Sequence, residues 1–296
     1  MTPTSKAYWQ IHFCVLLWGF TAIFGKLITL PALELVWWRM LLVTAVLLAL
    51  PRVWRGLRAM SGRLLLRFAG IGIVVALHWL TFYGAIKLSN ASVAVSCMAL
   101  GSVFAAMIEP FITNRRFDAR ELVLGVIVIP GIVMLVGGVP GNMRLGIAIG
   151  VLSAFLTALF SALNKRYVEH ADPLTVTCLE LGAGAAFLTV IAPLLPHTGA
   201  TFTLPGMQDA LLLLALAMAC TLLPFILSLI ALRNISAFST QLALNLEPVY
   251  AIVLAILLLN EQRELTPRFY AGVAMILIAV FAHPLTMRRK AAMPMG

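Results

Sequence analysis

The chain has 296 residues, of which 62% are hydrophobic and 11% charged, with a net charge of +10. With a mean hydropathy of +1.02, that composition excludes both a soluble globular protein and a disordered one. The basic residues fall in short runs between apolar segments, which reads as membrane topology and not as a nucleic-acid-binding face.

From the N-terminus, ten apolar segments are each long enough to span a bilayer: about 8–28, 32–50, 64–86, 90–112, 121–138, 145–167, 173–195, 207–231, 236–260 and 267–285. The first is too long for a signal-peptide core and is read as a span. It carries Trp18, Gly19, Phe20 and Thr21, where glycine removes bulk beside two large rings. Gly19 through Leu27 has a phosphate-loop look, but the glycine spacing is one residue too long and no Ser or Thr follows the lysine. The second segment holds Glu34 and Arg39. The third reads IVVALHWLTFYGAIKL, with His78 and Phe82 on one face and Trp79 and Tyr83 one residue round. An aromatic belt at the interface accounts for Tyr83, whereas an imidazole well inside the bilayer needs a polar partner.

Glu109 in the fourth segment lies near a helix end, where it can snorkel or meet a loop arginine, as can Glu34. Pro130 and Pro224 sit inside the fifth and eighth segments and are expected to kink them. In the sixth, Gly146, Gly150, Ala154, Ala158 and Ala162 form a small-residue stripe that lets another backbone approach. Glu180 in the seventh is deep enough to neutralise Arg39 or another partner. Cys14, Cys97, Cys178 and Cys220 all lie in apolar segments without metal or redox spacing and read as packing residues.

The ninth segment, SAFSTQLALNLEPVYAIVLAILLLN, organises the rest. It places Gln241, Asn245 and the Glu247–Pro248 pair near mid-membrane. A carboxylate at that depth costs about 2.5–3.5 kcal/mol on insertion scales, so it must face protein or a water-filled cavity. Proline removes a backbone donor and frees the Leu244 carbonyl, making a polar, broken place of the kind transporters use. Glu247 has three open roles: holding a backbone amide of a neighbouring helix, binding a substrate ammonium, or carrying a coupled proton.

Fifteen Lys and Arg residues flank the even-numbered connections and both termini, among them Arg52, Arg55, Arg58, Arg115, Lys165, Arg233 and Arg288. Four lie on the other side, Lys87, Arg144, Arg263 and Arg268. The bias predicts cytoplasmic N- and C-termini. Sliding the chain by 146 residues lays Ala85–Asn114 on Ala231–Asn260 and matches Ala85, Ala91, Leu100, Val103, Ala105 and Asn114 to their counterparts. Lys26 and Lys165 close the first helix of each half. Five spans per half is odd, so the halves 1–140 and 141–296 are expected to enter the membrane from opposite sides. The fold expected is an all-α membrane protein of ten transmembrane helices in two inverted five-helix repeats.

These residues also carry a family resemblance. Trp18-Gly19-Phe20, Trp38-Arg39, Leu246-Glu247-Pro248-Val249-Tyr250, and Asn260-Glu261 followed by Gly272 make the chain similar to the drug/metabolite transporter superfamily. Within it, the chain resembles the ten-helix exporters with two EamA-type repeats, and most of all the bacterial aromatic amino acid exporters. Gly101-Ser102 stands in the first half where the second has Glu247-Pro248. The resemblance implies an inner-membrane exporter working by alternating access around a central cavity.

The expected cargo is an amino acid with an aromatic or other large apolar side chain, or a related small metabolite. Trp18, His78, Trp79, Phe82, Tyr83, Gln241 and Asn245 are expected to bind it, with Glu247 and Pro248 gating or coupling its transport. A multidrug exporter of lipophilic cations is the alternative. A membrane-embedded enzyme is disfavoured, since no HExxH, nucleophile elbow or redox cysteine pair is present. No cofactor, metal or nucleic acid is expected, only the small-molecule substrate and membrane lipid, and the expected state is a monomer.

Overall fold

A computed structural model describes residues 2–117, 123, 130–131, 133–194, 202–275 and 277–278. Among these residues the secondary structure is helical, with no strand. Seven helical stretches are long and apolar enough to cross a membrane, and an eighth candidate is a pair of helices bent by 93°. This is a multi-pass membrane protein. The fifth expected span and the end of the tenth lie largely outside the described residues, as do Arg120 and the Arg288–Arg289–Lys290 run.

The first span is α1 (Pro3–Gly19) and α2 (Thr21–Leu27). They meet at Phe20, where the Thr21 hydroxyl turns back onto the Trp18 carbonyl at 2.6 Å. The second, α3 (Ala32–Leu48), is followed by α4 (Pro51–Ala59), the other arm of the bent pair. Residues 51–63, between the second and third apolar segments, do not run as a plain loop. Instead, Pro51 starts a short amphipathic helix that buries Val53 and exposes Arg52, Arg55 and Arg58. Arg52 pairs with Asp172 at 2.6 Å, pinning α4 to the start of the seventh segment.

Next come α5 (Gly62–Leu88), α6 (Ala91–Met98) and α7 (Gly101–Thr113), followed by α8 (Arg144–Tyr167) and α9 (Pro173–Ile191). Polar caps begin three of them: Ser61, Asn90 and Asp172 each accept from an amide three residues on. The small-residue stripe on α8 packs as expected. A Cβ on Gly146 would meet Ser89 at 2.7 Å, and one on Gly150 would meet Cys97 at 3.0 Å. At Gly72 the backbone of α9 comes closer still, since a Cβ there would fall 2.1 Å from the Glu180 carbonyl oxygen. All four cysteines are free and buried.

The eighth segment is α10 (Met207–Ala217) and α11 (Leu223–Leu232), joined by a π-helical turn at Met218–Leu222. Pro224 sits in the first turn of α11, so the irregularity falls just before the proline. The ninth is also broken, into α12 (Ala237–Leu244) and α13 (Glu247–Leu259). The break comes at Asn245–Leu246, tightened by three-residue bonds to Leu242 and Ala243. Pro248 thus lies in the first turn of α13, where a missing donor costs nothing. The sequence reading had placed the disturbance in mid-helix.

The fourth and ninth segments match element for element. Their second helices begin at Gly101 and Glu247, end at Thr113 and Leu259, and close on the left-handed residues Asn114 (φ 54°) and Asn260 (φ 55°). Each pair is 146 residues apart. The two breaks touch, for Asn245 Nδ2 donates to Ser102 Oγ at 3.2 Å.

Candidate functional site: a two-charge aromatic cavity

Between the two broken segments and α1, α3, α5, α8 and α11 lies a cavity. Residues from both halves of the chain line it, most of them apolar or aromatic. Its two charged wall residues are Arg39 of α3 and Glu247 of α13.

Arg39 is 1% exposed. Nε donates to Thr221 Oγ1, Nη1 to the Tyr83 hydroxyl at 2.8 Å, and Nη2 to the Cys220 carbonyl at 3.2 Å. Thr221 and Cys220 both lie in the π-helical turn, and Pro224, four residues after Cys220, has no N–H to give its carbonyl. The guanidinium carbon stands 3.9 Å above the Trp79 ring centroid, a cation–π contact that compensates for lost hydration. These bonds use three of five N–H donors. The other two make no hydrogen bond with a described residue.

Glu247 is 5% exposed, and among the described residues it makes no hydrogen bond or ion pair. It lies close enough to Arg39 for electrostatic attraction, but the two form no direct ion pair. The structural task that sequence allowed it, holding a neighbouring helix's amides, belongs to two other carboxylates. Glu109 accepts from the amides of Ala237 and Phe238, both at 2.9 Å, at the start of α12. Glu261 accepts from Ala91 and Ser92 amides at 3.0 and 2.9 Å, and from the Ser92 hydroxyl, at the start of α6. Glu109 also meets Arg115 at 3.8 Å, the loop arginine its position allowed.

The apolar wall is built mainly by α5 and α11. His78 Nδ1 lies 3.0 Å from the Ser153 carbonyl and 2.9 Å from its hydroxyl, the polar partner an imidazole needs at that depth. Phe160 and Phe82 flank it at 5.5 and 6.2 Å between centroids. Trp79 meets Phe225 of α11 edge-on at 6.1 Å. Opposite, Gln241 of α12 donates to Ser161 of α8 at 2.9 Å. Gly101 makes room for it, since a Cβ there would sit 2.6 Å from the Gln241 Oε1.

The profile of the EamA-like transporter family matches residues 5–137 and again 144–282. The chain belongs to this family. It is also 24% identical, over 216 residues, to a protein of Clostridium kluyveri described as an uncharacterized transporter, covering 70% of this chain and 67% of that one. A crystal structure of another protein superposes with a TM-score of 0.67 at 18% identity, covering 98% of this chain and 99% of that chain. That likeness is one of fold.

In this EamA-like transporter the cavity brings together Trp18, His78, Trp79, Phe82, Gln241 and Glu247 from the residues expected at the site. It does not bring Tyr83, Asn245 or Pro248 to the wall. Tyr83 is buried behind Trp79 as the acceptor for Arg39, and Asn245 is spent on Ser102. Of the partners open to Glu180 in the sequence, Arg39 is not the one it takes: Glu180 meets Asn164, at 3.3 Å. Sequence reasoning missed the polar wall of α8, Thr157, Ser161 and Asn164. Their spacing of four and three was legible, but it runs beside the small-residue stripe on the same helix, which drew the packing interpretation.

Proposed function

We propose that this transporter exports amino acids with large apolar side chains, by alternating access, across a bacterial inner membrane with both termini cytoplasmic. One observation carries the reading: an aromatic cavity with a fixed cation, Arg39, and a carboxylate without a partner, Glu247. A zwitterion needs both signs. Its carboxylate takes the N–H donors that Arg39 has left, its ammonium takes Glu247, and its side chain lies among Trp79, Phe82 and Phe225. A cavity that holds a buried arginine repels a lipophilic cation, which weighs against multidrug export.

Alternating access draws on the two broken segments. They share a register offset of 146 residues and touch at Ser102 and Asn245, where short helices and interrupted ladders let each half tilt against the other. On this reading 1–140 and 141–296 are inverted five-helix units in a monomer.

The test is counterflow by purified protein in liposomes, offered L-phenylalanine, L-leucine, a nucleotide sugar and tetraphenylphosphonium separately. Exchange of the two amino acids alone is expected. Exchange of the organic cation without either amino acid overturns the reading.

A further inference from the structure

Glu180 is the buried carboxylate that neither the cavity charges nor the helix-capping pairs explain. It is fully buried on α9 and accepts one bond, from Asn164 Nδ2 to its Oε2 at 3.3 Å. Its other oxygen, Oε1, has no partner, and neither has Asn164 Oδ1. Two buried acceptors are therefore left without a donor, the arrangement that an added proton relieves. A carboxylate placed for structure looks different in this protein: Glu109 accepts two backbone bonds, and Glu261 two more with a hydroxyl besides.

The surroundings offer Glu180 no cation. On α3, Arg39 is held by Thr221, Tyr83 and Cys220. On α5, His78 is bound to Ser153, and Arg67 lies over the Tyr167 ring. On α4, Arg52 is paired with Asp172. Lys165 of α8 donates to the Leu232 carbonyl, and Arg233, beyond α11, to those of Val168 and Ala171. The α11 helix itself has no titratable side chain. Among the described residues none of these cations forms an ion pair with Glu180. Asn164 links the carboxylate to the cavity, because the residue that holds Glu180 is also one of those lining the cavity.

We propose that Glu180, reached from the cavity through Asn164, binds the proton whose inward flow drives export. This rests on the transport reading above. An O–H bond forms at a Glu180 oxygen as cavity hydronium returns to water on the external side. It breaks to a water on the cytoplasmic side. The protonated acid supplies the missing donor, and Glu247 stays available for the substrate ammonium.

Two measurements test it. Acidification of the purified protein, followed by infrared difference spectroscopy, needs no substrate and so stands apart from the amino acid assignment. Wild type should show a protonated-carboxyl band that is missing in Glu180→Gln and present in Glu247→Gln; a Glu180→Gln spectrum like wild type overturns the proposal. In liposomes, Glu180→Gln should keep L-phenylalanine counterflow but lose about tenfold of the accumulation driven by a pH gradient. Loss of counterflow in the folded variant, or accumulation driven by a sodium gradient instead, overturns it too. Asn164→Ala leaves the carboxylate in place and covers the case in which Glu180→Gln does not fold. It should move the pH midpoint of the band, and an unmoved midpoint overturns the proposal.

Discussion

Arg39 shows how a single residue can be visible in a sequence without its role being so. An arginine inside an apolar segment must have partners, and a carboxylate in another segment was the obvious one to expect. Among the described residues Arg39 makes no direct ion pair. The structure surrounds the guanidinium with a hydroxyl, a phenol, a carbonyl and an indole face, keeping the charge usable. Pro224 shows in the sequence that the Cys220 carbonyl lacks its helical donor, but not that Arg39 takes it up. Arg39→Lys should therefore fail where a mere charge would suffice, since an ammonium neither forks nor stacks as a guanidinium does. An amino acid's apparent affinity should fall about tenfold, a loss of about 1.4 kcal/mol, read as the half-saturating concentration in counterflow. Trp79→Ala and Phe82→Ala should also weaken it while the protein still inserts. Unchanged rates and affinities in both would reduce these rings to packing.

At the scale of elements, the sequence showed where spans begin and end better than where they break. Periodicity and length locate a membrane helix, but a break depends on which carbonyls and amides find other partners. At the break in the ninth segment the backbone keeps short local bonds, while the Asn245 side chain finds Ser102, 143 residues away in sequence. Glu109 and Glu261 make the same point: the first reads in sequence as an end-of-helix charge and the second only as part of a family motif, yet each holds the N-terminus of a short helix in the other half of the chain. Oriented amides and a carboxylate attract through the helix dipole as well as through hydrogen bonds. Glu261→Gln turns one oxygen into an NH₂ that faces amide donors. It should cost about 3 kcal/mol, from two charge-assisted bonds weakened or lost at about 1.5–3 kcal/mol each. Thermal unfolding in detergent measures it. Glu247→Gln, which breaks no bond with a described residue, should unfold near the wild-type temperature while losing amino acid counterflow. A large drop in its unfolding temperature would make Glu247 structural after all.

For the whole molecule, the direction of transport depends on sidedness, and that depends on the charge bias of the connections. Several of the cations counted as cytoplasmic also close helices. Lys165 donates to the Leu232 carbonyl, Arg166 to that of Ile112, and Arg233 to those of Val168 and Ala171. These contacts gather the ends of α7, α8 and α11 at one face of the bundle, the face that also carries the Arg52–Asp172 pair and α4. Thr29 and Asp209 meet elsewhere, through bonds of 3.0 and 2.6 Å, and join the end of the first span to the start of α10. The positive face is thus one connected surface, and labelling a single point on it assigns the side. Ala59→Cys on exposed α4 and Leu204→Cys, at a position 85% exposed, provide one probe for each face. The four native cysteines are free and buried, so they can be replaced by alanine without breaking a disulfide. With an impermeant thiol reagent on intact cells, Leu204→Cys should react at once and Ala59→Cys only after permeabilisation. The opposite pattern would turn the arginine-rich face outward and reverse the direction of export that the cavity's two charges were assigned to serve.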